Sequence, residues 1–321
     1  MRVLVTGGAG YIGSVATAIL LERGFDVTVL DDCSTGHRDA VASGAKFISG
    51  SILDPQVVAN ALIDCDAVFH FAAKSLVSES VEKPDLYFNV NVNGTRNLLD
   101  QMSVAKISKL VFSSTAATYG EPEAIPITEM ARTIPTSPYG TTKLAVDQMI
   151  TKESESGLAA MSLRYFNVAG AYKSKTGWLE ERHNPETHLI PNLLNSTVEK
   201  PLQIFGDDWP TTDGTCIRDY IHVVDLIDAH ILALENLTQG EHKIINLGSG
   251  GGYSVAEVVS AASKILGRDI PVEVSARRAG DPAVLVADIS LAAKALSWAP
   301  KYDIQNMVSD TWEAQNASAR Q

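Results

Sequence analysis

The 321-residue chain has little of what builds disulfide frameworks, metal clusters or membrane anchors. Its three cysteines, Cys33, Cys65 and Cys216, are far apart, odd in number and without C-x-x-C spacing. This pattern excludes a disulfide scaffold and is typical of the reducing cytoplasm. The apolar run at the N-terminus covers only residues 3–5 before glycines begin. We therefore expect neither a signal peptide nor a membrane span.

Positive charge is also scarce, with 26 Lys and Arg against 38 Asp and Glu and a formal net charge of −12. Nucleic acids and anionic membranes bind basic surfaces, so we expect neither as a partner. His70, His222 and His230 show no metal-ligand grouping, and we expect no metal. With 45% hydrophobic and 20% charged residues, the composition is typical of a globular protein of one or two domains.

Glycine, by contrast, is concentrated directly after the first predicted strand. Gly7, Gly10 and Gly13 fit G-x-x-G-x-x-G, and an apolar helix starts inside the motif. Backbone N–H groups at such a turn can approach a pyrophosphate, which then lies at a helix N-terminus. The second predicted strand, residues 27–30, ends at Asp31, where a carboxylate can bind both hydroxyls of an adenosine ribose. A 2′-phosphate would be repelled there, so the motif predicts NAD rather than NADP.

Strands and helices alternate through the first half of the chain, with further strands predicted at residues 45–48, 67–71, 110–113 and 160–165. Alternation of this kind predicts an α/β fold, a Rossmann-type doubly wound parallel sheet with function at the carboxyl ends of its strands. From residue 171 the pattern changes. We expect an NAD-binding domain over 1–170, its sheet completed by segments near 215–250. A smaller C-terminal α/β substrate lobe is expected mainly over 171–321.

A tyrosine and a lysine carry the predicted chemistry. Tyr139 and Lys143 are four residues apart on one face of a helix that Ser137 can cap. A phenol with an ordinary pKa near ~10 is a poor base, but an ammonium and a cationic nicotinamide ring both stabilise its phenolate. A surface tyrosine beside an unrelated lysine is the alternative. The hydroxyls of residues 113–115, at a predicted strand end, favour hydride chemistry on an alcohol instead.

Together these motifs resemble a known family. Residues 7–13, 112–120, 139–143 and 164–170 are similar to those of the extended short-chain dehydrogenase/reductases, and residues 206–223 resemble the members that epimerise UDP-hexoses. The resemblance runs to about Asp288. It implies NAD-dependent 4-epimerisation of UDP-glucose and UDP-galactose through a transient 4-keto sugar, in galactose metabolism. It also implies a cytoplasmic homodimer formed through helices near 85–103 and 139–155, although Ala145 and Met149 could instead pack on the sheet.

The resemblance implies a role for each matching residue. Tyr139 would be the acid/base on the sugar 4-hydroxyl, Thr115 its hydrogen-bonding partner and Lys143 the ribose ligand. The implied cofactor contacts are Gly7, Gly10, Tyr11, Ile12, Gly13, Asp31, Ser51, Ile52, Phe71, Ala72, Ala73, Asn91, Ser113, Tyr139, Lys143 and Tyr165. The implied substrate contacts are Thr115, Tyr139, Asn167, His188, Leu189, Phe205, Arg218, Arg278, Asp281 and Leu285.

Within the substrate set, Asn167, Arg218 and Arg278 would hold the diphosphate and Asp281 the uridine ribose. Leu189 and Phe205 would flank the uracil, with plain core positions as the alternative. Leu285 stands where a large aromatic side chain would block N-acetylated sugars, so the resemblance implies room for UDP-N-acetylhexosamines. Ser51 departs from the family, which usually has an aspartate beside the adenine.

Three other functions remain open. A nucleotide-sugar 4,6-dehydratase needs an acid and a base after the strand-end threonine, where this chain has Ala116 and Ala117. A plain NAD-dependent reductase would accumulate NADH stoichiometrically. A non-catalytic redox-sensing module typically lacks the tyrosine–lysine pair that is present here.

Overall fold

The computed structural model describes residues 1–278 and 281–318. Its strands are β1 (Arg2–Thr6), β2 (Asp26–Asp31), β3 (Lys46–Ser49), β4 (Ala67–His70), β5 (Lys109–Thr115), β6 (Ala159–Tyr165), β7 (Asn167–Ala169), β8 (Tyr172–Ser174), β9 (Gly177–Leu179), β10 (Leu202–Phe205), β11 (Ile217–Arg218), β12 (Tyr220–His222), β13 (His242–Leu247), β14 (Tyr253–Ser254), β15 (Val272–Ser275) and β16 (Val284–Leu285).

The α-helices are α1 (Tyr11–Glu22), α2 (Pro55–Ala61), α3 (Val77–Glu82), α4 (Pro84–Tyr87), α5 (Gly94–Val104), α6 (Pro138–Ser154), α7 (Leu189–Leu194), α8 (Val223–Glu235), α9 (Val255–Leu266), α10 (Ser290–Leu296) and α11 (Ile304–Ser318). A π-helical turn, Phe88–Asn93, joins α4 to α5, and 3-10 turns cover Arg38–Ala40 and Ala116–Thr118. Within the described residues, no helix is both long enough and apolar enough to cross a bilayer.

Seven parallel strands form the central sheet in the order β13-β6-β5-β4-β1-β2-β3. The chain moves outward from β1 to β3 and then returns to place β4 on the other side of β1. The carboxyl ends of β1 and β4 therefore flank the point where the strand order reverses, which is where doubly wound sheets bind their ligands. The prediction of a Rossmann-type parallel α/β fold is confirmed.

Helices cover both faces of the sheet because the strand residues alternate between two cores. Val3 and Val5 belong to one cluster, with side chains of α1, α8 and α10. Leu4 belongs to the other, with side chains of α2, α5 and α6. All three are fully buried, so β1 is apolar on both faces, as a central parallel strand requires.

A third core lies in the second half of the chain. It is built from α7, α9 and α11 with Leu202 of β10 and Tyr220 of β12. Short strands pair beside it: β10 with β15, and β11 with β14 and β16. The strand β13, from the same half, pairs with β6 and extends the central sheet. The boundary between the two domains at residue 170 stays a prediction.

Candidate active site

Three glycines shape the turn after β1, and each does so for a different reason. Gly7 has φ +74°, and a Cβ there would lie 2.6 Å from the amide nitrogen of Ala72. A Cβ on Gly13 would lie 2.1 Å from the carbonyl oxygen of Gly7. At Gly10 the nearest neighbour would be 3.4 Å away, an ordinary contact. The fold itself therefore requires glycine at 7 and 13, whereas position 10 leaves room for a close ligand.

The helix that follows the turn begins at Tyr11, and Gly10 gives its first N–H groups no side-chain cap. Such uncapped N–H groups favour an anion. The Tyr11 hydroxyl donates to the carbonyl of Gly170, 2.5 Å away, and ties the turn to the segment after β7. Ile12 packs against the first core cluster.

Asp31 ends β2 next to this turn. The backbone N–H of Ala9 donates to its Oδ2 at 2.9 Å, and that of Cys33 donates to its Oδ1 at 2.7 Å. Burial raises the pKa of this carboxyl, and the two hydrogen bonds oppose the rise. The side chain is thus held rigidly beside the glycine turn, where a ribose hydroxyl could still reach its remaining lone pairs.

The segment after β4 forms the opposite side of the crevice. Phe71 packs on His230, with ring centroids 4.9 Å apart, and the N–H of Ala72 donates to the Thr6 hydroxyl at 3.4 Å. Ala73 continues this segment into Lys74. Asn91, from the π-helical turn, accepts from the Lys74 N–H at 2.8 Å and donates to the Lys74 carbonyl at 3.0 Å.

Asn91 also donates to the Thr142 hydroxyl on α6, 3.0 Å away. Its buried amide therefore anchors the loop after β4 to the helix that carries Tyr139, and its direct contact with a cofactor stays a prediction. Ser51 is turned toward its own loop, because its hydroxyl accepts from the N–H of Leu53 at 3.2 Å. Ile52 is buried against Gly94, where a Cβ would lie 2.6 Å from its side chain.

Tyr139 is the second residue of α6, which begins at Pro138, and Ser137 caps the helix by accepting from the N–H of Gly140 at 3.1 Å. Burial raises the pKa of the Tyr139 phenol to about 12, and a hydrogen bond with Thr115 lowers it. Thr115 is the last residue of β5, and the predicted contact of its hydroxyl with the substrate oxygen stays a prediction.

Lys143 is held by the same strand. Its Nζ donates to the carbonyl of Ser113 at 2.8 Å, and the side chain is almost fully buried. Burial lowers its pKa to about 8, while the charge of Asp147 raises it. Burial is the largest influence on the Tyr139 pKa, and the expected lowering of this pKa by Lys143 and a nicotinamide ring stays a prediction. The Ser113 hydroxyl pairs with that of Tyr165.

Beneath this group lies an ion pair that sequence reasoning missed. Arg164 of β6 donates from Nε and Nη2 to Oδ2 of Asp147, at 3.0 and 2.8 Å, and both side chains are buried. Asp147 also accepts from Ser114 at 3.1 Å. Arg164 and Asp147 are 17 residues apart on different elements, so no local spacing indicated this pair.

The charged residues predicted for the substrate come together in the second half of the chain. Arg218 Nη2 lies 3.5 Å from Oδ2 of Asp281, and its Nη1 donates to the Pro282 carbonyl at 2.9 Å. The Arg278 guanidinium carbon lies 3.7 Å from the ring centroid of Phe205. That guanidinium covers one face of Phe205, so a uracil could stack there only if Arg278 moved or if it used the other face.

The remaining predicted substrate residues are held by their neighbours. Asn167 donates from its side chain to the Asp219 carbonyl at 2.8 Å. Asp219 is itself fully buried, and its carboxylate accepts from the N–H groups of Ser249 and Ala287 at 2.5 and 2.9 Å. Leu189 is partly buried against the third core cluster, which agrees with a core position, and Leu285 is partly exposed on β16.

His188 occupies the N-cap position of α7, without a side-chain cap hydrogen bond, and belongs to a group that sequence reasoning missed. Glu181 and His183 lie beside it, although only His188 was singled out. The signal was their spacing within eight residues.

The histidines expected to be structural have such positions: His70 links Thr6 and Thr95 at 2.7 and 2.8 Å. His222 accepts from the N–H of Val224 at the start of α8.

A doubly wound sheet with this glycine turn and this tyrosine–threonine–lysine group defines an extended short-chain dehydrogenase/reductase. The model of the NAD dependent epimerase/dehydratase family matches residues 3–248. The chain therefore belongs to that family.

The proteins that this chain resembles are named as 4-epimerases of UDP-sugars. The UDP-glucose 4-epimerase of Corynebacterium glutamicum is 53% identical over 97% of this chain and 95% of its own. A solved UDP-glucose 4-epimerase from Bifidobacterium longum, in complex with NAD+ and UDP, has a TM-score of 0.92 at 35% identity and covers 99% of both chains. The UDP-Glc/GlcNAc 4-epimerase of Campylobacter jejuni has a TM-score of 0.85 at 38% identity, over 98% of this chain and 99% of that one.

Proposed function

We propose that the protein is an NAD-dependent isomerase that interconverts UDP-glucose and UDP-galactose by inverting C4. The observation that carries the proposal is the meeting of the Tyr139 and Thr115 hydroxyls beside Lys143, at the carboxyl ends of the central strands. Full-length similarity to UDP-glucose 4-epimerases supports it.

The residues around the glycine turn fit NAD. The open side of Gly10 and the uncapped start of α1 suit a pyrophosphate, and the anchored carboxylate of Asp31 suits an adenosine ribose without a 2′-phosphate. When bound, NAD supplies a hydride acceptor that returns the same hydride in each turnover. Lys143, fixed on the Ser113 carbonyl, is placed to bind the nicotinamide ribose.

Tyr139 moves the proton in this proposal. Its oxygen removes the proton of the sugar 4-hydroxyl as C4 is oxidised, and gives it back after the 4-keto sugar has turned its other face. A phenol with a pKa of about 12 is too weak an acid for this role at neutral pH. The ammonium of Lys143 and a positively charged nicotinamide ring must together lower it, while Thr115 orients the hydroxyl.

The uridine diphosphate supplies most of the affinity, so that the sugar stays free to rotate. Arg218 and Arg278 are assigned to the diphosphate, with Asn167 beside them, and Asp281 to the uridine ribose. The Arg218–Asp281 pair supports this division because it holds a cation and a ribose acceptor side by side. Leu285, with no aromatic ring, leaves room for an N-acetyl group, so UDP-N-acetylglucosamine is proposed as a second substrate.

The rival functions lack support at the site. Ala116 and Ala117 begin the 3-10 turn after Thr115 and offer no group that could transfer a proton. The acid and the base that a 4,6-dehydratase needs at these positions are therefore missing from this chain. The intact pair of Tyr139 and Lys143 likewise disfavours a non-catalytic redox sensor.

A homodimer in the cytoplasm is part of the proposal. Leu86 and Phe88, at the start of the helix pair predicted to form the interface, are 37% and 53% exposed. Met149, by contrast, packs on the sheet core, so only part of the predicted apolar strip is available to a partner. The free cysteines Cys33, Cys65 and Cys216 are compatible with a reducing compartment.

The test is an assay of the purified protein with UDP-galactose and no added cofactor. We expect UDP-glucose to form catalytically, with protein-bound NAD and no net NADH. The same assay without protein is the control. Stoichiometric NADH, or a 4-keto-6-deoxy product, would point to the reductase or the dehydratase instead.

A further inference from the structure

Three potential metal ligands lie between β9 and α7. Glu181, His183 and His188 each offer one ligand atom, and these atoms all lie within 4.8 Å of one another. The side chains of the three are 10%, 22% and 42% exposed, respectively. The cluster is therefore partly shielded from water yet open on one side, through which an ion could enter.

The donor set has a definite chemical preference. Two imidazoles and one carboxylate are the protein ligands of many Zn²⁺ sites, with bonds of about 2.0–2.2 Å, and oxygen-loving Mg²⁺ or Ca²⁺ rarely use two histidines. Donors of a tetrahedral ion lie roughly 3.3–3.5 Å apart at such bond lengths. The candidate donor atoms, which lie within 4.8 Å of one another, would have to move inward by roughly 1 Å to reach this spacing.

Neighbouring contacts hold the ligands in place. The carboxylate of Glu186 pairs with Nδ1 of His188 at 2.7 Å, which leaves Nε2 as the nitrogen that could bind a metal; carboxylates in such outer positions orient metal-binding imidazoles. Between the first two ligands, Arg182 makes two hydrogen bonds to Asp39, at 2.8 and 3.0 Å. The ligand segment is thus fixed to the loop after β2 at one end and reaches the N-cap position of α7 at the other.

We propose that Glu181, His183 and His188 bind one divalent transition-metal ion, of which Zn²⁺ is the best match. The ion would join residues 181–183 to His188 at the start of α7. Its role is structural, because the proposed proton transfer uses Tyr139 and needs no metal.

The experiment measures zinc bound to the full-length protein with its NAD. After equilibrium dialysis against ZnCl₂ and removal of free metal, we expect one zinc per chain by elemental analysis. Glu181→Gln, His183→Ala and His188→Ala should each lose this stoichiometric zinc. His37→Ala is the matched control, since His37 contacts the same segment through the Arg182 carbonyl at 3.3 Å but is outside the cluster. It should keep the zinc.

A milder variant keeps the test decisive if a ligand variant fails to fold. Glu186→Gln retains all three ligands and should weaken zinc binding by about 10–100-fold, as loss of an outer-shell partner does. Melting temperatures of all variants, with and without ZnCl₂, establish that each is folded. Absence of stoichiometric zinc in the parent protein, or zinc retained by folded His183→Ala or unaffected by Glu186→Gln, would overturn the proposal.

Discussion

The two halves of the proposed active site are built in opposite ways. Around the cofactor, the shape is set by backbone: glycines at 7 and 13 have no space for a methyl group, and Asp31 is fixed by two N–H groups. Around the substrate, the shape is set by long side chains: Arg218, on the two-residue strand β11, lies beside Asp281, and Arg278, which is outside any strand, lies over the ring of Phe205. One half is rigid and suits a retained cofactor, whereas the other can rearrange to accept a ligand that must enter and leave.

The sharpest test of this contrast lies where the halves meet. Tyr139→Phe removes the proposed acid/base and should lower kcat by about 10²–10⁴-fold, while NAD and UDP still bind. Tyr87→Phe is the control, because its ring packs edge-on to Tyr139 at 6.5 Å but its hydroxyl bonds the Leu76 carbonyl. Steady-state kinetics and isothermal titration measure the two effects. Turnover close to the parent value in Tyr139→Phe would remove this residue from the mechanism.

The rigidity of the cofactor half predicts unequal responses to two small changes. Gly13→Ala places a methyl group against the Gly7 carbonyl and should destabilise the fold by about 1–3 kcal/mol or more. Gly10→Ala meets nothing closer than 3.4 Å and should fold normally but bind NAD more weakly. Urea unfolding and the NAD content of the purified variants compare them. Equal unfolding free energies for Gly13→Ala and Gly10→Ala would contradict the conclusion that close backbone contacts determine the shape of this turn.

Burial of Lys143 should appear in the pH dependence of stability. Its pKa falls from 10.5 to about 8 on folding, which corresponds to a penalty of about 3 kcal/mol while the amine is charged. This penalty is fully present below about pH 8 and disappears as the pH rises toward 10.5, where the unfolded amine also loses its proton. The unfolding free energy of the parent should therefore rise relative to Lys143→Met between these pH values. A constant difference would show that Lys143 keeps an ordinary pKa.

Substitutions in the substrate half should change KM for the UDP-sugar but leave the amount of bound NAD unchanged. Replacing Arg278 with Met removes a proposed charge-assisted hydrogen bond to the diphosphate, worth about 1.5–3 kcal/mol. KM for UDP-galactose should rise about 10–150-fold with NAD content unchanged. Arg277→Met is the matched control, since Arg277 pairs with Asp208 at 2.7 Å instead. Equal KM values for the two variants would leave Arg278 without the proposed role.

The change expected to affect turnover of UDP-galactose least concerns substrate choice. Leu285→Tyr should abolish turnover of UDP-N-acetylglucosamine while changing that of UDP-galactose little, because the ring fills the space proposed for the N-acetyl group. Leu285→Met controls for substitution without a ring. Competition assays with the two sugars give the ratio of kcat/KM. No turnover of the N-acetylated sugar by the parent would refute this proposal.

The cofactor half was largely predictable because its signals are local. The glycine spacing, the acid after β2 and the cap of α6 all lie within a few residues of the structure that they specify. The contacts of the substrate half join residues far apart in the chain, such as Arg218 and Asp281, and only the family resemblance brought them together.

Two features of the site lay beyond sequence reasoning. The Tyr139 pKa depends mainly on the burial of the phenol in the folded protein. The spacing of residues along a helix does not reveal that burial. The π-helical turn at Phe88–Asn93 directs Asn91 onto the Lys74 backbone, and its asparagines alone could not distinguish this from capping or exposure.

Asp219 gives a last consequence. Its neighbour Arg218 extends toward the proposed substrate, while Asp219 itself is buried and holds the turn at Ser249, the segment at Ala287 and, through its carbonyl, Asn167. Asp219 therefore fixes the backbone that positions the Arg218 side chain, which is the group proposed to bind the substrate. A natural variant at Asp219 should therefore bind the UDP-sugar more weakly, even though the Asp219 carboxylate itself does not have to contact the sugar.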